Sequence, residues 1–137
     1  MHRMWIAGGV LALGLAGAAA AQSTVADLMK HEINPAALAF WAAGNDPPEN
    51  ETPQAAQARW RAAEAAADTL RRQGLRLQAA PYARSPQWSG FARQMADAAA
   101  SAEGAIRDRN AEAAFEAGGR LYDSCDGCHK AYPPPKR

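Results

Sequence analysis

The sequence predicts an all-α protein, an antiparallel, up-down-up-down bundle of four helices. Three observations carry that expectation. Of the 116 residues from Gln22 to Arg137, 29 are alanine, the strongest helix former, and β-branched residues are few. Four stretches repeat their apolar residues at intervals of three and four, the period of a helix with one buried face. Polar, Pro-rich connections separate these stretches, with capping residues at their starts. A chain of this length supports one domain with a modest core, and neither an internal repeat nor a second domain is visible.

The stretch before Gln22 reads differently. Met1-His2-Arg3-Met4 is a short basic head, Trp5 to Ala16 is apolar, and small residues end in Ala19-Ala20-Ala21. This is the pattern of a secretory signal, cleaved between Ala21 and Gln22. The expected organisation is therefore a leader over 1–21 and a helical domain over 22–137. Retention as a membrane anchor is disfavoured, because Trp5 to Ala21 is near the lower limit for a span and is diluted by glycine and alanine. No second membrane segment is expected, so export would deliver a periplasmic protein without stable membrane association. The leader holds one basic residue, Arg3, and no acids, which leaves 14 Lys and Arg against 14 Asp and Glu in the mature chain. That balance gives no reason to expect nucleic acid or an anionic membrane as partner.

Each helix follows from its own residues. Ser23 or Thr24 caps the first, in which Val25, Leu28, Met29 and Ile33 fall at helical spacing with Met29 at the centre of the stripe. His31, about 200° round from Met29, belongs on the outer face. Pro35 interrupts the stretch, but Ala36 and Phe40 continue the stripe, so one kinked helix ending near Gly44 is expected. Asn45 to Glu51 is a loop. Thr52-Pro53 gives a cap followed by proline at the first helical position. Trp60, Ala63, Ala67, Leu70, Gly74 and Leu77 then form the buried stripe of the second helix, with Arg59, Arg61, Glu64, Asp68, Arg71 and Arg72 on a solvated face. Pro86 opens the third helix, whose inner face carries Trp88, Phe91, Met95, Ala102 and Ile106. Asn110 caps the fourth, where Phe115, Gly118, Tyr122, Cys125 and His129 recur at three and four. Gly118-Gly119 weakens that helix by about 1 kcal/mol per glycine, which makes sense where another backbone or a flat group approaches closely. Pro133-Pro134-Pro135 stops it.

The chemistry is concentrated at the end of the fourth helix, in Cys125-Asp126-Gly127-Cys128-His129. Cys-x-x-Cys-His is the attachment signature of c-type haem. Two thiols that add to the two vinyl groups of one porphyrin must sit close together on one surface, and residues three and four apart on a helix do so. His129 lies beside both, where its imidazole can meet the iron. Other chemistries fit less well. A structural zinc site needs four ligands, and there is no second Cys-x-x-Cys. A thioredoxin-like pair belongs beside a βαβ pattern, which is absent. A disulfide across two residues would be strained and would leave His129 unexplained.

With export, four helices and this motif near its C-terminus, the chain resembles the class II cytochromes c over its whole mature length. The residues that carry the resemblance are Cys125, Cys128, His129 and Tyr132, together with Leu28-Met29-Lys30 in the first helix. It implies one covalent haem c near one end of the bundle, with Cys125 and Cys128 as thioether attachments and His129 as proximal iron ligand. Met29 matches the distal iron ligand of the low-spin, methionine-ligated branch. In an up-down-up-down bundle the start of the first helix and the end of the fourth share one end, which agrees with that pairing. Met95 also falls at core spacing, but no family motif supports it as a ligand. Where the family often has a basic residue after the aromatic, this chain has Pro133. Trp41, Trp60 and Trp88 read as packing mass. Related bundles pair through their first two helices, which leaves room for a homodimer.

The function expected is one-electron transfer between periplasmic redox partner proteins, with iron held by His129 and Met29. The alternative is a five-coordinate cytochrome c prime type that binds nitric oxide or carbon monoxide. No paired carboxylates or nucleophile–base motif point to an enzyme.

Overall fold

The computed structural model describes residues 22–134, so the expected leader over 1–21 lies outside the described residues, as do Pro135, Lys136 and Arg137. The described chain is all-helical and has four helices, an arrangement compatible with a helical bundle. Helix α1 (25–44) runs through three consecutive pieces, Val25–Leu28, a π-helical turn Met29–Ile33, and Asn34–Gly44. It is followed by α2 (Pro53–Leu77), α3 (Pro86–Arg107) and α4 (Ala111–Ala131). Among the described residues no helix is long and apolar enough to cross a membrane.

The starts are fixed by the caps the sequence offers. Thr24 accepts from the Asp27 N–H while the Asp27 carboxylate takes the Thr24 N–H, a reciprocal capping box. Thr52 caps α2, Ser85 caps α3 and Asn110 caps α4, each accepting from the backbone N–H three residues on. Pro53 and Pro86 occupy first-turn positions where a missing N–H costs nothing.

Packing runs around a ring: α1 on α2, α2 on α3, α3 on α4, and α4 back on α1. Alanine makes the close approaches possible. Ala63, Ala67, Ala99, Ala102 and Ala117 are at most 1 % exposed, and Leu28, Phe40, Leu70 and Leu121 fill the space between them. At Gly74 a methyl group would lie 2.7 Å from the Ala92 carbonyl oxygen, so only glycine lets α2 and α3 meet there.

Two of the expected stripes are shifted. In α4 the buried residues are Ala114, Ala117, Gly118, Leu121 and Ser124, while Phe115 and Tyr122 are 62 % and 59 % exposed. The spacing Phe115, Gly118, Tyr122, Cys125, His129 is real, but its first members, Phe115 and Gly118, mark a flank of α4 that meets α1 at Gly44 and Trp41. In α1 the centre of the buried stripe belongs to Leu28, at 0 % exposure, and Met29 is half-buried beside it. The cause is the π-turn, which sequence periodicity does not reveal. Arg59 also leaves the solvated face. Its guanidinium grips both Glu51 oxygens at 2.7 and 2.9 Å and donates to the Ala42 carbonyl at 3.0 Å, tying the end of α1 to the start of α2.

Candidate functional site

Cys125 and Cys128 sit one turn apart on α4, half-buried and packed against the hydrophobic core, and both are free thiols. Burial pushes the Cys125 thiol pKa up, with a smaller opposing effect from its hydrogen bond with Ser124. Burial also raises Cys128, the neighbouring Cys125 adds to the rise, and the positive charge of Arg84 opposes it. The pair therefore presents neutral thiols to an apolar neighbourhood. His129 and Lys130 are exposed, and Lys130 is held 2.6 Å from Asp126 one turn back. Among the described residues, no group of three or more His, Cys, Asp or Glu side chains gathers as a metal-ion site.

The connection between α2 and α3 fastens this end of the molecule together. The Tyr82 hydroxyl donates to the Ser23 carbonyl at 2.8 Å, which anchors the chain just before α1. Ser85 hydrogen-bonds the Tyr132 hydroxyl at the end of α4, and Tyr132 packs edge-on against Trp88 with centroids 5.1 Å apart. Trp88 is locked in turn, its indole N–H donating to the Leu77 carbonyl at 2.8 Å. The ring of Phe91 from α3 lies against Gly127, where a methyl group would be 2.6 Å from its edge. The chain just before α1, at Ser23, and the end of α4, at Tyr132, are thus both moored to residues 82–88.

At the other end, α1 and α4 touch directly. A methyl group on Gly44 would meet the Phe115 backbone, and the Trp41 indole N–H donates to the Gly118 carbonyl at 2.9 Å. This contact gives a common origin for measuring along the two helices. Met29 is twelve residues back along α1, about 18 Å, and His129 is eleven residues forward along α4, about 16 Å. On ideal helical rise the two come out at nearly the same height. The π-turn adds one residue to the helical count. Met29 and Trp41 are then separated by eleven α-helical steps, about 1,100°, which puts them some 20° apart on the α4-facing flank. His129 is likewise eleven steps from Gly118, on the α1-facing flank of α4.

Along this seam the packing of α1 on α4 is carried by Asn34–Gly44, whereas Met29–Ile33 packs on α2. By this helical count Met29 falls on the flank of α1 that holds Trp41 and His129 on the flank of α4 that holds Gly118, while Met29 itself packs against the core and His129 is exposed. Met95, by contrast, is 5 % exposed in the inner face of α3 and belongs to the hydrophobic core.

Three residues at this end carry no sequence signal of their role. Arg84 stacks its guanidinium 4.4 Å over the Trp88 ring and brings positive charge toward Cys128. It supplies from the α2–α3 connection a basic group near the motif, in a chain that has Pro133 after Tyr132. Ser85 and Trp88 clamp Tyr132, and only the fold brings them to the motif. No family model, curated protein or solved structure matches the chain.

Proposed function

We propose that this chain is an exported c-type cytochrome, an antiparallel up-down-up-down four-helix bundle that carries one covalent haem c and transfers single electrons in the periplasm. The observation that carries the reading is the pair of free, half-buried thiols Cys125 and Cys128 one turn apart on α4, followed at once by His129 at the end moored by residues 82–88. The helical count that puts Met29 at the same height supports it. Contacts between the end of α1 and the start of α4, at Gly44–Phe115, and between late α2 and early α3, at Gly74–Ala92, support the alternating helix directions.

The residues present fit the group. Two neutral, half-buried thiols one turn apart suit thioether attachment, and the flank between Met29 and His129 is where α1 leaves α4 for α2. Cys125 and Cys128 would hold the porphyrin, and His129 and Met29 would donate imidazole nitrogen and thioether sulfur to its iron. Bound there, haem iron supplies a one-electron ferric–ferrous couple. The chain's own part is to fix two ligands on separately anchored helices, which limits reorganisation on transfer. Trp88, Tyr132 and Phe91 give the surroundings low polarity, and Arg84 adds positive charge toward Cys128. Redox partner proteins are the expected partners, and a homodimer is compatible with the exposed faces of α1 and α2.

A redox titration of the purified protein tests the proposal. It should give a reversible one-electron couple from haem that stays on the chain through denaturation, with a mass equal to Gln22–Arg137 plus one haem. Haem extracted by acid acetone would refute it.

A further inference from the structure

Helix α1 contains a feature that the electron-transfer reading does not by itself require. The Asn34 N–H bonds the Met29 carbonyl five residues back, rather than four, and Pro35 follows at once. In a regular α-helix the residue at position 35 would bond the His31 carbonyl. Proline has no N–H to give, and its ring would press on that same carbonyl. Widening the preceding turn relieves both problems at the cost of poorer hydrogen-bond geometry.

The consequence falls on the two residues just before the widened turn. In an unbroken helix, twelve steps of about 100° would put Met29 about 120° from Trp41, close to the centre of the buried stripe, with Leu28 turned away from it. With one residue added, Leu28 takes the centre and aligns with Phe40, while Met29 swings onto the flank shared with Trp41 and Gly44. Both of those residues touch α4. Burial records the same rotation: Leu28 is 0 % exposed, Ile33 five residues on is 3 %, and Met29 is half-buried.

We infer that Pro35 is a positioning residue for the sixth iron ligand: it enforces the π-turn Met29–Ile33 and thereby turns Met29 out of the bundle centre toward His129 on α4. The inference rests on the reading that Met29 closes the iron site. It adds that the choice between two adjacent side chains, one coordinating and one inert, is made by a proline six residues downstream.

The test uses the holoprotein and two variants. In Pro35→Ala the missing hydrogen bond can form, the helix closes, and the segment before it rotates by about 100°. Met29 then replaces Leu28 in the core, an exchange of nearly equal volume that leaves the fold intact. The upfield-shifted methyl resonance of an iron-bound methionine should disappear from the reduced protein, and its spectrum should become high-spin. Carbon monoxide binding should accelerate at least about tenfold, because an open position replaces a bound thioether. The second variant combines Pro35→Ala with deletion of Lys30, whose side chain is exposed. Removing the extra residue restores the original facing of Leu28 and Met29 in a purely α-helical segment, so the methyl resonance and low-spin spectrum should return.

A loss of packing alone would not be repaired by a deletion. Far-UV ellipticity near that of the parent shows that both variants fold. The inference is overturned if Pro35→Ala keeps the parent spectrum and carbon monoxide rate, since packing rather than proline then sets the turn. It is also overturned if the Lys30 deletion fails to restore them. Failure of the underlying reading shows elsewhere, as a Met29→Ala variant with the parent spectrum, and that result removes both.

Discussion

The seam between α1 and α4 fixes how the two helices register against each other, and with it the proposed pairing of Met29 with His129; Gly44 is its tightest point. A methyl group placed there would lie 2.5 Å from the Phe115 Cα, and its other close neighbours are the Phe115 N and Cβ. Relaxed carbon contacts are about 3.5–4.0 Å, so Gly44→Ala must displace one helix by roughly 1 Å. Backbone atoms cannot rotate aside as a side-chain end could, and overpacking of this kind costs about 1–3 kcal/mol. Gly44 is the last residue of α1, so little of the roughly 1 kcal/mol helix-propensity gain of alanine offsets this. For a domain of this size the net effect is a fall in Tm of about 4–12 °C. The control is Gly104→Ala in α3, where nothing lies within 4 Å of the added methyl. There the propensity gain acts alone and should stabilise by about 0.5–1 kcal/mol. Thermal melts of the holoproteins, followed by far-UV ellipticity, compare the two. If Gly44→Ala melts within about 1 °C of the parent, or if both glycines respond alike, the seam is not packed as described.

Two further outcomes follow from the same geometry. Leu28 is fully buried, so Leu28→Ala should cost about 2–5 kcal/mol in denaturant unfolding while leaving the iron spectrum unchanged. Met29→Ala should do the reverse, changing the spectrum for a smaller loss of stability, and Met95→Ala should behave like Leu28→Ala. Acid sensitivity is the other. Hydrogen bonds from Arg59, from Arg72 and from Thr24 hold the carboxyls of Glu51, Asp68 and Asp27 below their ordinary pKa values. Carboxyls depressed in the folded state contribute stability that is present above their unfolded pKa, about 4, and is lost as pH falls through the folded values. Tm should therefore drop below about pH 4, and Glu51→Gln should flatten the drop. An unchanged slope in that variant would show that the Arg59 clamp contributes nothing.

Much of the fold was legible because local chemistry decides it. Thr24, Thr52-Pro53, Pro86 and Asn110 mark helix starts through their own hydrogen bonding or their lack of it, and all four were readable as such. The inner faces of α2 and α3 follow simple periodicity, so Trp60, Leu70, Trp88 and Met95 fell where expected, with Trp60 only half-buried. What was not legible depends on register or on distant partners. Pro35 announces an interruption, but whether a helix kinks, breaks or widens there is decided by which side chains the core accepts, and here it accepts Leu28. In α4 the stripe of Phe115, Tyr122 and His129 has helical spacing yet lies one flank away from the core, because Ala114, Ala117 and Leu121 allow closer packing. Arg84 and Ser85 reach the Cys-x-x-Cys-His segment only through the fold, and no spacing rule links them to it.

The central claim, that Met29 and His129 together close the iron, is tested most directly by the absorption spectrum of the reduced protein before and after exposure to carbon monoxide. The account predicts a low-spin spectrum that changes slowly, because an incoming ligand must first displace a thioether held on the α4-facing flank, and a fast, high-spin response in Met29→Ala. A parent protein that is already high-spin and binds carbon monoxide at once would contradict it and leave Met29 as half-buried packing beside an open haem.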